Sequence, residues 1–159
     1  MNMRNGGTEA SLSVRTHDAA MLSELTHQII GACMAVHREL GPGLLESVYE
    51  ECLGMGIDEA GLPFSRQIPI PVCFRGRRIE QGFRCDMLVD RCVIVEIKAV
   101  ERIMPVHKAQ VLTYLKLTGC PIGLLINFHV AVLKDGISRL VNPASGLDLR
   151  SSVPPVPST

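Results

Sequence analysis

Tryptophan is absent, and aromatic residues make up only 4% of the 159-residue chain. Reading single-stranded nucleic acid by base stacking needs a platform of rings, so that mode of recognition is poorly supported. No net charge is carried either: 16 Lys and Arg balance 16 Asp and Glu. The total therefore holds no footprint of polyanion binding. None of the six cysteines (Cys33, Cys52, Cys73, Cys85, Cys92, Cys120) stands in a C-x-x-C pair. Their spacing resembles neither a zinc nor an iron–sulfur site, and most lie in apolar runs, where cysteine acts as a small buried hydrophobe. His17, His27 and His129 form no ligand spacing. There is no charged-then-apolar leader with a cleavage site, and no apolar run of membrane-spanning length. These absences lead to the expectation of a cytoplasmic protein in a reducing compartment, without a membrane partner.

What is present is a normal globular balance, with 47% hydrophobic and 20% charged residues. The length suits one domain, which can bury a core without disulfides or a structural metal. Charge is distributed unevenly. Between Arg66 and Lys116, ten basic residues face five acidic ones. A basic half holding a few acids suits a phosphate substrate, though solvated surface charge gives the same count.

Residues 1–18 are polar and aperiodic, and read as a disordered arm. Residues 142–159 hold Pro143, Pro154, Pro155 and Pro157 among serines, and read as a tail. Between them, residues 19–141 form the expected domain. Leu25, Ile29, Ala32, Val36 and Leu40 recur at helical steps, and Gly41-Pro42-Gly43 ends that helix. A second helix is expected from Leu44 to Ala60, with Val48, Cys52 and Met55 on its apolar stripe. The period then changes to two. Ile68, Ile70, Val72 and Phe74 alternate, Arg75-Gly76-Arg77 turns the chain, and a second strand runs from Arg78 to Val89. The third strand, Cys92 to Ala99, is apolar on both sides and so central. A helix from Val106 to Thr118, a strand from Ile122 to Phe128 and a last hairpin through Leu140 follow. The fold class is α/β: a mixed central β-sheet flanked by helices, in the order α-α-β-β-β-α-β-β.

Glu96 and Lys98 are two apart on the third strand, so they share a face with Ile94. Two charges in so apolar a strand need a partner or a task. A mutually neutralising pair is the plain alternative. Asp86 lies ten residues before Glu96, across the Asp90-Arg91 turn. With a three-residue loop centred on Arg91, Asp86 faces Glu96; a loop of even length puts it out of register. Facing carboxylates repel unless a divalent cation lies between them, and oxygen donors, including the Ile97 carbonyl, suit Mg2+ or Mn2+.

Asp86, a turn and Glu96-Ile97-Lys98 resemble the D…E-x-K signature of the PD-(D/E)XK nuclease superfamily. Gly43-Leu44-Leu45-Glu46-Ser47-Val48-Tyr49 matches the G-x-x-E-x-x-Y element of the GxxExxY proteins, and Gln110-Val111-Leu112-Thr113-Tyr114 is similar to the Q-x-x-x-Y motif of RecB-like members. The resemblance implies a restriction-endonuclease-like fold. It also implies that Asp86 and Glu96 hold a metal, with Glu46 assisting at the metal or its water. Lys98 would orient water and phosphate, and Gln110 and Tyr114 would touch metal-bound water or the substrate backbone. From the residues alone, Glu46 could equally serve the helix dipole, Tyr49 the core, and Gln110 and Tyr114 a solvated helix face. Facing two carboxylates, Lys98 is expected to act as a charged positioner rather than a general base.

Arg75, Arg77 and Arg78 at a hairpin tip suit phosphates or simply solubility. The expected function is a metal-dependent nuclease acting on DNA or RNA, for which a domain this small would use a second copy or a protein partner as an aid. The alternative is a nuclease-fold binding module without turnover.

Overall fold

In the computed structural model, which describes residues 18–147, helix α1 covers Ala19–Leu40. Asp18 starts it by accepting a hydrogen bond from Met21 N at 2.8 Å, satisfying an amide that a helix start leaves open. Apart from Asp18, the stretch read as an N-terminal arm, with His17, lies outside the described residues, as do residues 148–159. By length and composition α1 could cross a membrane, although no apolar run of that length is expected from the sequence. Its apolar residues have another use here: Leu22, Leu25, Ile29, Cys33 and Val36 are buried in the core shared with α2 and one face of the sheet.

Helix α2 covers Glu46–Glu59. Its buried side differs from the stripe expected. Val48 and Met55 are 38% and 59% exposed, whereas Tyr49, Leu53 and Ile57 are fully buried. The bulkiest side chain sets this rotation. Tyr49 stacks on Phe128 with ring centroids 4.5 Å apart, donates its hydroxyl to Gly41 O at 2.6 Å and accepts from Leu44 N at 3.2 Å. Tyr49 thereby staples the break between the two helices. His37 is likewise structural, donating from Nε2 to Val130 O at 2.8 Å.

One five-stranded sheet follows: β1 (Phe64–Phe74), β2 (Arg77–Val89), β3 (Val93–Lys98), β4 (Ile122–Asn127) and β5 (Ile137–Val141), in that spatial order. Neighbours are antiparallel except β3 and β4, which are parallel and joined through helix α3 (Pro105–Thr118). This is the mixed sheet expected, with a crossover helix where a parallel pair requires one. Strand β1 forms one edge and carries Pro69 and Pro71.

β3 is covered on both faces. Val93, Val95 and Ile97 pack toward α1 and α2, while Ile94 packs toward Tyr114 and Leu115 of α3. Each such buried aliphatic side chain contributes about 1.5–3 kcal/mol, which holds the strand that carries Glu96 and Lys98. Asn127, 3% exposed, ends β4 and ties down the chain beyond Lys98: it donates to Val100 O at 2.8 Å and accepts from Val100 N at 3.1 Å. Asn142, also 3% exposed, donates to Leu115 O and Cys120 O, fastening the end of β5 to the end of α3.

Helix α3 approaches β4 closely at Gly123. A Cβ there would lie 2.5 Å from Val111 Cγ1, and valine has little rotamer freedom to yield. Gly123→Ala is therefore expected to lift α3 and destabilise the fold by about 1–3 kcal/mol, read as a lower urea midpoint with an unchanged m-value.

Candidate active site

The site begins where β2 and β3 part. Their ladder pairs Val89 with Val93, Leu88 with Ile94 and Met87 with Val95, and goes no further. The loop between them is the three residues Asp90, Arg91 and Cys92, with Asp90 and Arg91 at positive φ (48° and 57°). Extending that register sets Asp86 opposite Glu96. Side chains take the place of the missing backbone bonds. Ile97 N donates to Asp86 Oδ2 at 2.8 Å, and Asp86 N donates to Glu96 Oε2 at 3.3 Å. Each carboxylate thus occupies an amide of the opposing strand. The Ile97 carbonyl leaves its strand on the same side as that amide, toward Asp86.

The ladder on the other side of Asp86 is interrupted too. β1 and β2 pair Arg66 with Met87 and Ile68 with Cys85, but Gln67, between them, is skipped and has φ 52°. Positive φ is uncommon for a residue other than glycine, and here it accompanies a specific set of bonds. Gln67 Nε2 donates to both oxygens of Glu50 at 2.9 Å and reaches Asp86 Oδ1 at 3.4 Å. Glu50, 8% exposed on α2, also accepts from Arg66 Nε at 3.1 Å.

The remaining residues surround this pair. Lys98 Nζ lies 3.7 Å from Glu96 Oε1. Glu46, exposed at the start of α2, accepts from Ala99 N at 3.2 Å, one residue past Lys98. Tyr114 is 1% exposed, donates to Arg84 O at 3.3 Å and is hydrogen-bonded by the Gln110 side chain. All six side chains proposed from sequence therefore gather at one end of the sheet. His107, three residues before Gln110, caps α3, its Nδ1 accepting from Met104 N at 2.9 Å.

The charges of the group act on one another. Burial raises the Asp86 pKa; the Ile97 amide opposes this, the Glu50 charge adds to it, and Lys98 opposes it. Burial and then the Asp86 charge push Glu96 up to about 7, against the pull of Lys98 and the Asp86 amide, with Glu46 adding a further rise. The Tyr114 phenol is raised by burial first and then by the charges of Glu96 and Asp86, so its hydroxyl stays a donor. Cys85, raised to about 12 mainly by burial, is an unreactive thiol.

Among the described residues, no three acidic, histidine or cysteine side chains close around one point. The centre offers two carboxylates and the Ile97 carbonyl, all oxygen donors. That set fits a hard divalent cation, which keeps several of its waters and needs only one or two carboxylates. Structural zinc sites are more often built from nitrogen and sulfur ligands. A cation would relieve the crowding of negative charge that raises Glu96.

Gln67 and Glu50 were not found from sequence. Glu50 carried a usable signal, since it is four residues after Glu46 on the same helix. Gln67 carried none, because the alternation of β1 hides a residue that departs from it.

The family model of the PD-(D/E)XK nuclease superfamily matches residues 23–140. No curated protein and no solved structure matches the chain.

The raised Glu96 pKa has a thermodynamic consequence. The folded chain holds a proton on Glu96 up to about pH 7, whereas the ordinary glutamate value is 4.5. Metal-free protein is therefore expected to lose stability as pH rises from 4.5 toward 7, since the folded state binds more protons across that window. Denaturant titrations in chelator across that range should show the slope, and Glu96→Gln should flatten it.

Proposed function

Because the chain belongs to the PD-(D/E)XK nuclease superfamily, we propose that it is a metal-dependent nuclease hydrolysing phosphodiester bonds in DNA or RNA, of the GxxExxY group. The superfamily typically uses a divalent metal. Mg2+ or Mn2+ is the ion proposed here, held by Asp86, Glu96 and the Ile97 carbonyl, with Glu46 at the margin. When bound, such an ion polarises the phosphate and acidifies a water. The chain's own residues supply the rest. Lys98, anchored beside Glu96, presents an ammonium to the phosphoryl oxygens, where charge develops in the transition state. Glu46 orients water at the strand end. Gln110, held by Tyr114, offers its amide to the substrate backbone.

The observation that carries this reading is the exchange of bonds between Asp86 and β3. Two carboxylates are placed side by side with a lysine, at the cost of a backbone ladder, and simple packing does not call for that. The reducing compartment expected from sequence belongs to the same proposal, and the six cysteines are free thiols.

A second reading is a nuclease-fold binding module without turnover. Zero net charge favours it, as does the absence of a three-ligand cluster among the described residues.

Cleavage of duplex and single-stranded DNA and RNA in magnesium or manganese separates the two. Asp86→Ala, Glu96→Ala and Lys98→Ala should each lower the rate at least about a hundredfold, and Lys98→Arg should retain a measurable part of it. Unchanged cutting by all three alanine variants would eliminate the mechanism. Calorimetry with Mn2+ should give heat for the native chain and none for Asp86→Ala. A folded native chain that gives no heat with Mn2+ and cleaves no substrate would support the module.

Gln67→Ala should leave the fold intact and lower kcat more than it raises KM, because it loosens Asp86 without touching substrate. Gln67→Glu, which cannot donate, should not rescue it.

A further inference from the structure

β2 is much longer than its inner neighbour. It has thirteen residues against six in β3, and β3 leaves it after Met87. From Asp86 outward to Arg77, β2 is paired only with β1. The two strands therefore leave the sheet as a two-stranded ribbon at the point where the carboxylates stand, backed at its base by Tyr114 and Leu115 of α3 and without a third strand. Nine residues of strand reach at most about 30 Å from Asp86 to the tip. A built-in bend lies along the way. The pairing shifts between Ile70 and Val72, and Gly82 sits where a Cβ would come 2.6 Å from Val72 Cγ2 and 2.9 Å from Ile70 O. Glycine is needed for the strands to cross that closely.

The ribbon is basic. Outward of Asp86 it carries Arg75, Arg77, Arg78 and Arg84 with one acid, Glu80. Among the described residues, the one ion pair on the ribbon joins Arg78 to Glu80. The ribbon's outer part, residues 73–81, is solvent-exposed throughout, whereas Ile70 and Cys85 nearer its base are buried with Tyr114 and Leu115 of α3. Its two exposed rings are already covered in part: the Arg75 guanidinium lies 5.1 Å from the centre of Phe74, and Phe83 meets Tyr114 edge-on at 5.5 Å. Stacking platforms for unpaired bases are therefore few, while arginine forks suited to phosphate oxygens are many. A two-stranded ribbon also has the width that the major groove of B-form DNA admits.

We propose that this ribbon is a duplex-DNA clamp that holds the helix up to about eight base pairs from the carboxylate site. It rests on the nuclease reading for the identity of the site, but its chemistry is separable. The arginines set where the duplex lies, and Asp86, Glu96 and Lys98 act on the phosphate delivered to them. The clamp gives the neutral chain a local positive surface that its net charge conceals.

The test measures binding without cleavage. The full chain and a variant carrying Arg75→Ala, Arg77→Ala and Arg78→Ala are titrated in chelator with a fluorescent DNA duplex longer than the clamp's reach, and with a single strand of equal length, over a series of salt concentrations. The variant should bind duplex tenfold or more weakly, with a salt slope smaller by about three, one unit for each lost phosphate contact. Its affinity for the single strand should fall less. Circular dichroism and the urea midpoint should match those of the native chain, and an Arg→Lys triple variant should recover most of the salt slope. Equal duplex affinity and slope in native and alanine chains, or an equal loss on both probes, would overturn the clamp. Failure of the nuclease reading would look different: arginine-dependent duplex binding by a chain that cuts nothing.

Discussion

The structure depends on one substitution of bonds, in which the carboxylate of Asp86 accepts the Ile97 amide that a strand carbonyl would otherwise take. A central strand that loses its ladder normally exposes polar backbone or unravels. Here the exchange keeps the amide satisfied and brings a charged group into the gap. The net worth of such a charge-assisted bond, about 1.5–3 kcal/mol, offsets part of the penalty for half-burying Asp86 beside Glu96. The rest of the penalty remains visible in the raised pKa values of both carboxylates. Stability is thus given up where the two carboxylates meet, and recovered in the apolar β3 and in the layers over both its faces.

Much of this was legible in the residues. The strongly patterned segments fixed the element order, and β3 declared itself central because a run with apolar residues on both sides has to be covered twice. The Asp86–Glu96 pairing depended on loop parity, and the three-residue loop that settled it rests on two non-glycine residues at positive φ. Sequence patterns foresee such conformations poorly. The rotation of α2 was misread for a related reason. Counting apolar positions favoured Val48 and Met55, but one tyrosine with two hydrogen bonds and a stacked ring outweighs several small hydrophobes.

Gln67 and Glu50 show what a linear reading lacks. Neither residue type is unusual, and neither sits in a motif. Their meaning comes from three elements meeting: α2 supplies the acid, an irregular turn of β1 supplies the amide, and β2 supplies Asp86. Arg66 compensates the charge of Glu50, so the buried acid is tolerated and still acts on Asp86. Contacts of this kind separate neighbours by seventeen or more residues, beyond the range of any periodicity.

The prolines of β1 have a bearing on how copies of the molecule can meet. An edge strand ordinarily invites another strand to zip alongside it, but Pro69 and Pro71 present ring carbons where amide protons would be offered. Lateral polymerisation along that border is thereby discouraged, on the β1 side of the basic hairpin as well as along the sheet.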